Sequence, residues 1–115
     1  QNNEIGLPLT LLSLNREHQV AVLEMGFYVP GEIDLLCTIA RPQIGIITNI
    51  GTVHAERAGD LATIARGKAE LVQALPPEPN GLAVLNYDNH LVRAMASETF
   101  ASGQYRSQQV CRPLG

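Results

Sequence analysis

Val22-Leu23-Glu24-Met25-Gly26-Phe27-Tyr28-Val29-Pro30-Gly31-Glu32-Ile33-Asp34 is the stretch that decides the fold class. An apolar run ends there on the carboxylate of Glu24, turns at Gly26 and leads into a new helix. In α/β proteins such strand tips are where metal and phosphate are held. A second apolar run, Ile44 to Ile47, ends in Thr48-Asn49-Ile50-Gly51-Thr52-Val53-His54 and offers polar groups at what should be the same edge.

Reading outward, Gln19 to Met25 alternates too little for a half-exposed strand and predicts a strand buried on both faces. Upstream, Asn2 or Asn3 can cap a helix over Glu4 to Leu12, where Pro8 is tolerable only in the first turn. Asn15 to His18 reads as a polar turn. Downstream, Pro30, Glu32, Ile33, Leu35, Leu36, Ile39 and Ala40 predict a short amphipathic helix closed by Arg41-Pro42. Ile44 to Asn49 predicts a second buried strand. Leu61, Ile64, Ala65, Leu71, Val72 and Leu75 keep helical spacing behind a candidate N-cap at Asp60, and the Pro-rich run from Pro76 ends that helix. Leu82 to Leu85 is a third strand, followed by a helix carrying Leu91, Val92, Met95 and Ala96. Strands in series with helical crossovers imply an α/β fold with a parallel sheet and flanking helices. From Ser97 the pattern fades, so residues 1–96 are expected to form the domain portion and 97–115 a tail with at most one edge strand.

A chain of 115 residues accommodates one domain or part of one. Hydrophobic residues make up 45% and aromatics 4%, without Trp, so the core should be aliphatic. A net charge of −3 with scattered Lys and Arg argues against a nucleic-acid partner. Cys37 and Cys111 lie in no metal-type spacing and read as free thiols. No run approaches the ~18 apolar residues of a membrane span, and the N-terminus has no leader pattern, so a soluble, cytoplasmic protein is expected. The abrupt start without Met suggests a piece of a longer chain.

Asn2-Asn3-Glu4-Ile5-Gly6-Leu7-Pro8-Leu9-Thr10, Glu24-Met25-Gly26 with Pro30-Gly31-Glu32-Ile33, Ile47-Thr48-Asn49-Ile50-Gly51 with His54-Ala55-Glu56, Lys68-Ala69-Glu70-Leu71 and Leu85-Asn86-Tyr87-Asp88 occur in this order. Together they resemble the central, P-loop NTPase-like ATPase domain of the Mur ligases. The resemblance implies a three-domain enzyme using ATP and Mg²⁺. It would phosphorylate a substrate carboxylate to an acyl phosphate that an amine then attacks. The member matched best joins D-alanyl-D-alanine to a UDP-MurNAc-tripeptide in peptidoglycan precursor synthesis. Other Mur ligases and folylpolyglutamate synthase are sister readings, and a non-catalytic α/β nucleotide-binding module is a reading of another class. No stretch fits the phosphate loop G-x-x-x-x-G-K-[ST]. That loop and the flanking N- and C-terminal domains are expected in the parent, and the piece alone should not catalyse.

By the resemblance, Glu24 and His54 are magnesium ligands, and Lys68 carries a carbamate that also reaches the metal. His54 and Lys68 are accordingly the catalytic candidates. The chemistry agrees for Glu24, since a carboxylate ending a buried strand needs a cation or donors and magnesium takes hard oxygens. A turn-closing carboxylate is the alternative. Imidazole suits softer metals, so His54 rests on the family context alone. Lys68 has apolar neighbours at three and four positions, Ile64, Ala65, Leu71 and Val72, while Glu70 is two positions off and faces elsewhere. Asn2, Asn3 and Thr10 fall on the phosphate side and can equally be helix-start residues. Asn49 can orient the loop bearing His54, and Asn86 and Asp88 can line the nucleotide or simply form a turn.

Overall fold

The computed structural model describes residues 3–26, 29–51, 61–106 and 111–113, those of 104–106 and 111–113 by backbone alone. Asn3 starts the first helix: its Oδ1 accepts the amides of Ile5 at 3.1 Å and Gly6 at 2.7 Å, donors that a helix start leaves unpaired. Helix α1 then spans Gly6–Leu12 and buries Leu7 completely. The polar turn at Asn15 is closed by the His18 amide on the Asn15 carbonyl at 3.1 Å and by the Asn15 amide on His18 Nδ1 at 2.9 Å.

The segment expected to be a doubly buried strand, Gln19 to Met25, instead has no regular secondary structure and no ladder partner among the described residues. Val20 and Val22 stand 78% and 91% exposed. A strand is made by the neighbour that takes its amides and carbonyls, and no described residue pairs with this one. Met25 alone anchors its far end, packed on the core with its sulfur 3.9 Å from that of Cys37.

Gly31, at φ 96°, starts helix α2, Glu32–Ala40, in the left-handed region that glycine enters without steric cost. Ile33, Leu36 and Cys37 form its buried face. Arg41, also left-handed at φ 50°, terminates it by donating its amide to the Cys37 carbonyl at 2.8 Å, and Pro42 prevents continuation.

Strand β1, Ile44–Ile47, pairs in parallel with β2, Leu82–Asn86, which pairs in parallel with β3, Ser102–Arg106; β4, Cys111–Pro113, adds an antiparallel edge. The sheet order is β1-β2-β3-β4. The expected α/β fold with a parallel sheet is therefore present, but its three parallel strands are not the three anticipated. Beyond residue 96, where at most one edge strand was expected, β3 lies inside the sheet and β4 caps it, because Ser102 to Arg106 matches the register of Leu82 to Asn86.

Helix α3, Leu61–Ala74, buries Ile64, Gly67, Ala69 and Val72; its expected cap, Asp60, lies outside the described residues. The helix sits close on β1, since a Cβ on Gly45 would stand 3.0 Å from Leu71 Cγ and 3.2 Å from Leu75 Cδ1. Ile47, Ala83 and Leu85 meet this layer, each of the larger side chains contributing about 1.5–3 kcal/mol through burial. The opposite face of β1 is open, with Ile44 and Ile46 58% and 59% exposed, so burial on both faces is not realised for this strand. Helix α4, His90–Arg93, runs on into a 3₁₀ turn, Ala94–Glu98, and buries Val92 and Met95 against the core.

Candidate functional site at the strand tips

Because β1 and β2 run in parallel, their C-terminal ends leave the sheet at one edge, and asparagines tie them together. Asn86 Nδ2 donates to the Thr48 carbonyl at 2.7 Å, while its Oδ1 accepts the Asp88 amide at 2.9 Å. Asn86 thus forms a turn and bridges the two strands at once. Asn89 does more. Its Nδ2 donates to Asn49 Oδ1 at 2.6 Å and to the Ile50 carbonyl at 3.0 Å, and its Oδ1 caps α4 by accepting the amides of Leu91 and Val92 at 3.0 and 3.1 Å. One side chain therefore sets both the start of a helix and the loop after β1.

Lys68 is half-buried on α3 and directs Nζ to the Asn49 carbonyl at 3.4 Å. The structure thus brings Lys68, Asn49 and Asn86 to one edge. Asp88 is exposed in the same turn. Glu24 is exposed at the end of its unpaired segment. Asn3 precedes α1 and bonds its first amides, and Thr10 within α1 directs Oγ1 to the Gly6 carbonyl at 3.0 Å. Asn2 and His54 lie outside the described residues.

Two residues that the sequence reading left aside prove central. Asn89 is one, visible in hindsight as an N-cap residue just before the Leu91-Val92 pair. Glu70 is the other. Its Oε2 accepts the Gly31 amide and its Oε1 the Asp34 amide, each at 2.9 Å, so α2 takes its cap from α3. The signal was Gly31 itself, which has no side chain to cap with.

Cys37 is buried beneath this junction. Burial pushes its thiol from 9.0 up to about 11, and the nearby Asp34 and Glu70 charges push the same way. It is a core residue, as its place in the helix pattern predicted.

The donor set accommodates magnesium in part. Glu24 is an exposed hard-oxygen donor of the kind magnesium takes. Asn49 already accepts at both oxygens, its Oδ1 from Asn89 and its carbonyl from Lys68. Lys68 can approach a cation only in an anionic form. Among the described residues no three His, Cys, Asp or Glu side chains gather as a metal cluster.

The Mur ligase middle domain matches residues 1–107. The chain belongs to the Mur ligase family. A UDP-N-acetylmuramoyl-tripeptide--D-alanyl-D-alanine ligase of Synechocystis sp. is 47% identical over 95 residues, covering 83% of this chain and 20% of that protein. The enzyme of the same name from Escherichia coli K12 is 40% identical over 89 residues, 77% of this chain and 19% of that one. A crystal structure of MurF from Acinetobacter baumannii superposes with a TM-score of 0.77 at 32% identity, over 90% of this chain and 24% of its own. The chain thus spans about a fifth of the length of the curated relatives it matches. Both the Lys68 helix and the laced strand tips fall inside the matched Mur ligase segment. No helix among the described residues is long and apolar enough to cross a membrane.

Proposed function

We propose that these 115 residues belong to an ATP-dependent amide ligase that adds D-alanyl-D-alanine to a UDP-MurNAc-tripeptide, supplying the metal side of its central domain. The observation that carries the reading is Lys68 held half-buried over the tip of β1, with the β2 tip laced beside it. A lysine on a largely apolar helix stripe, aimed at a strand tip, is placed for chemistry more than for solvation. The names of the relatives supply the substrates.

Glu24 and His54 would hold magnesium, and Lys68 would join them as the carbamate formed when its neutral amine adds carbon dioxide and releases one proton to solvent. When bound, the metal neutralises charge that builds during phosphoryl transfer. Asn49, kept in place by Asn89, sets the direction of the loop toward His54, and Asn86 and Asp88 shape the nucleotide side. Asn2, Asn3 and Thr10 take the phosphate side. ATP would be held chiefly by a phosphate loop of the parent. An enzyme that spends ATP on a nucleotide-linked precursor works in the cytoplasm, and this one would serve cell-wall synthesis.

The test is ligation by the full-length parent, with ATP, magnesium, D-alanyl-D-alanine and the UDP-MurNAc-tripeptide. Glu24→Ala and Lys68→Ala should each remove most turnover. A Glu24→Ala parent with normal turnover refutes the metal role, and a wild-type parent that does not form this amide refutes the assignment.

A further inference from the structure

Helix α3 carries two polar side chains that leave it in different directions. Lys68 and Glu70 are two residues apart, about 200° around the helix axis. Lys68 reaches the β1 tip, and Glu70 reaches the start of α2. Each carboxylate oxygen of Glu70 accepts one backbone amide, from Gly31 and from Asp34, at the same 2.9 Å. The start of α2 has no cap of its own, because Gly31 lacks a side chain and no capping bond comes from its own residue. Charge alone would not choose this place. Glu32 and Asp34 already occupy the first turn of α2, so a third carboxylate is repelled there, and the two charge-assisted bonds have to outweigh that repulsion.

This junction also borders the segment bearing Glu24. That segment has no ladder partner; among the described residues Met25 is packed on the core, and Gly31 further along is bonded by Glu70. We propose that Glu70 is a positioning residue: by gripping the start of α2 it sets where the Glu24 turn stands relative to Lys68 on the same helix. This rests on the ligase reading for what Glu24 and Lys68 do. Loss of the grip would leave both side chains intact and let the distance between them drift.

The experiment uses the full-length parent, comparing wild type with Glu70→Ala and Glu70→Gln. Gln keeps the size and one acceptor oxygen, but its amide nitrogen meets the second backbone N–H. Three readouts are taken: amide exchange of the peptide spanning residues 29–35, the magnesium concentration for half-maximal ligation, and the melting temperature. The expected result is faster exchange in that peptide and a half-activating magnesium concentration raised about tenfold in the Ala variant, by analogy with the support residues of metal sites. Gln should fall between, and saturating magnesium should restore much of kcat in both. Unchanged exchange in both variants overturns the grip itself. Faster exchange or a lower melting temperature with unchanged magnesium dependence in both overturns the positioning role and leaves a plain helix cap. If the wild-type parent ligates without magnesium, the metal reading has failed, and that is seen before any variant is compared.

Discussion

Residues 19–25 and 82–86 are alike as sequence and opposite as structure. Each is a short apolar run ending on a polar side chain, Glu24 in one and Asn86 in the other. Residues 82–86 form β2, paired on both sides, with Ala83 and Leu85 fully buried. Residues 19–25 stay unpaired, and Val22 is almost wholly in solvent. Apolar composition makes a segment eligible for a sheet, and a partner with open amides and carbonyls makes it a strand. The same contrast separates the candidate residues into a group locked by direct bonds, around Asn49, Asn86 and Asn89, and Glu24, which is exposed beside the core-packed Met25.

The largest effect should come from the paired strand. Leu85→Ala should cost about 3 kcal/mol in denaturant unfolding, through lost burial and a residual cavity. Gly45→Val should cost about 2 kcal/mol, since its branched side chain would press on Leu71 and Leu75. Asn89→Ala should cost about 1–2 kcal/mol by removing the α4 cap and the bonds to Asn49 and Ile50 together. Val22→Ser, on the unpaired run, should shift the midpoint by no more than about 0.5 kcal/mol. A Val22 cost equal to that of Leu85 would break the comparison, because it would mean that residues 19–25 bury their side chains as β2 does.

Cys37 gives a pH test of the junction between α2 and α3. Its folded thiol is raised from 9.0 to about 11, so the folded state keeps the proton longer than the unfolded chain. The stabilisation is fully present below pH 9 and is lost as pH rises through 11. The difference in stability between wild type and Cys37→Ala should therefore be constant to pH 9 and narrow above it. A difference that stays level to pH 11 would show that the thiol is not desolvated there.

Most of the helices were legible because their signals are local. Ile33, Leu35, Leu36, Ile39 and Ala40 marked α2, although Leu35 and Ile39 are 48% and 36% exposed, and Arg41-Pro42 marked its end; Ile64, Val72 and Leu75 marked α3. The first signs of the site were legible too, since Lys68 stood on an apolar stripe without a local counter-charge. The bonds from Asn89 to Asn49 and Ile50 and from Glu70 to Gly31 and Asp34 escaped because those partners lie 39 or more and 36 or more residues away respectively, at distances only the folded chain sets. Glu70 does face away from Lys68, and the direction it faces is toward the start of α2.

By itself the sequence determined the α/β class, the approximate places of the helices, strands near Ile44 to Asn49 and Leu82 to Leu85, and the ordered motifs of a Mur ligase, all of which depend on side-chain period and on residue types close along the chain. Only the tertiary structure decided which apolar runs became strands, that Ser102–Arg106 lies within the sheet, and which asparagine and glutamate hold the tips and helix starts. Those outcomes depend on hydrogen-bond partners far apart in the chain, and a backbone donor's partner is a property of the packed fold.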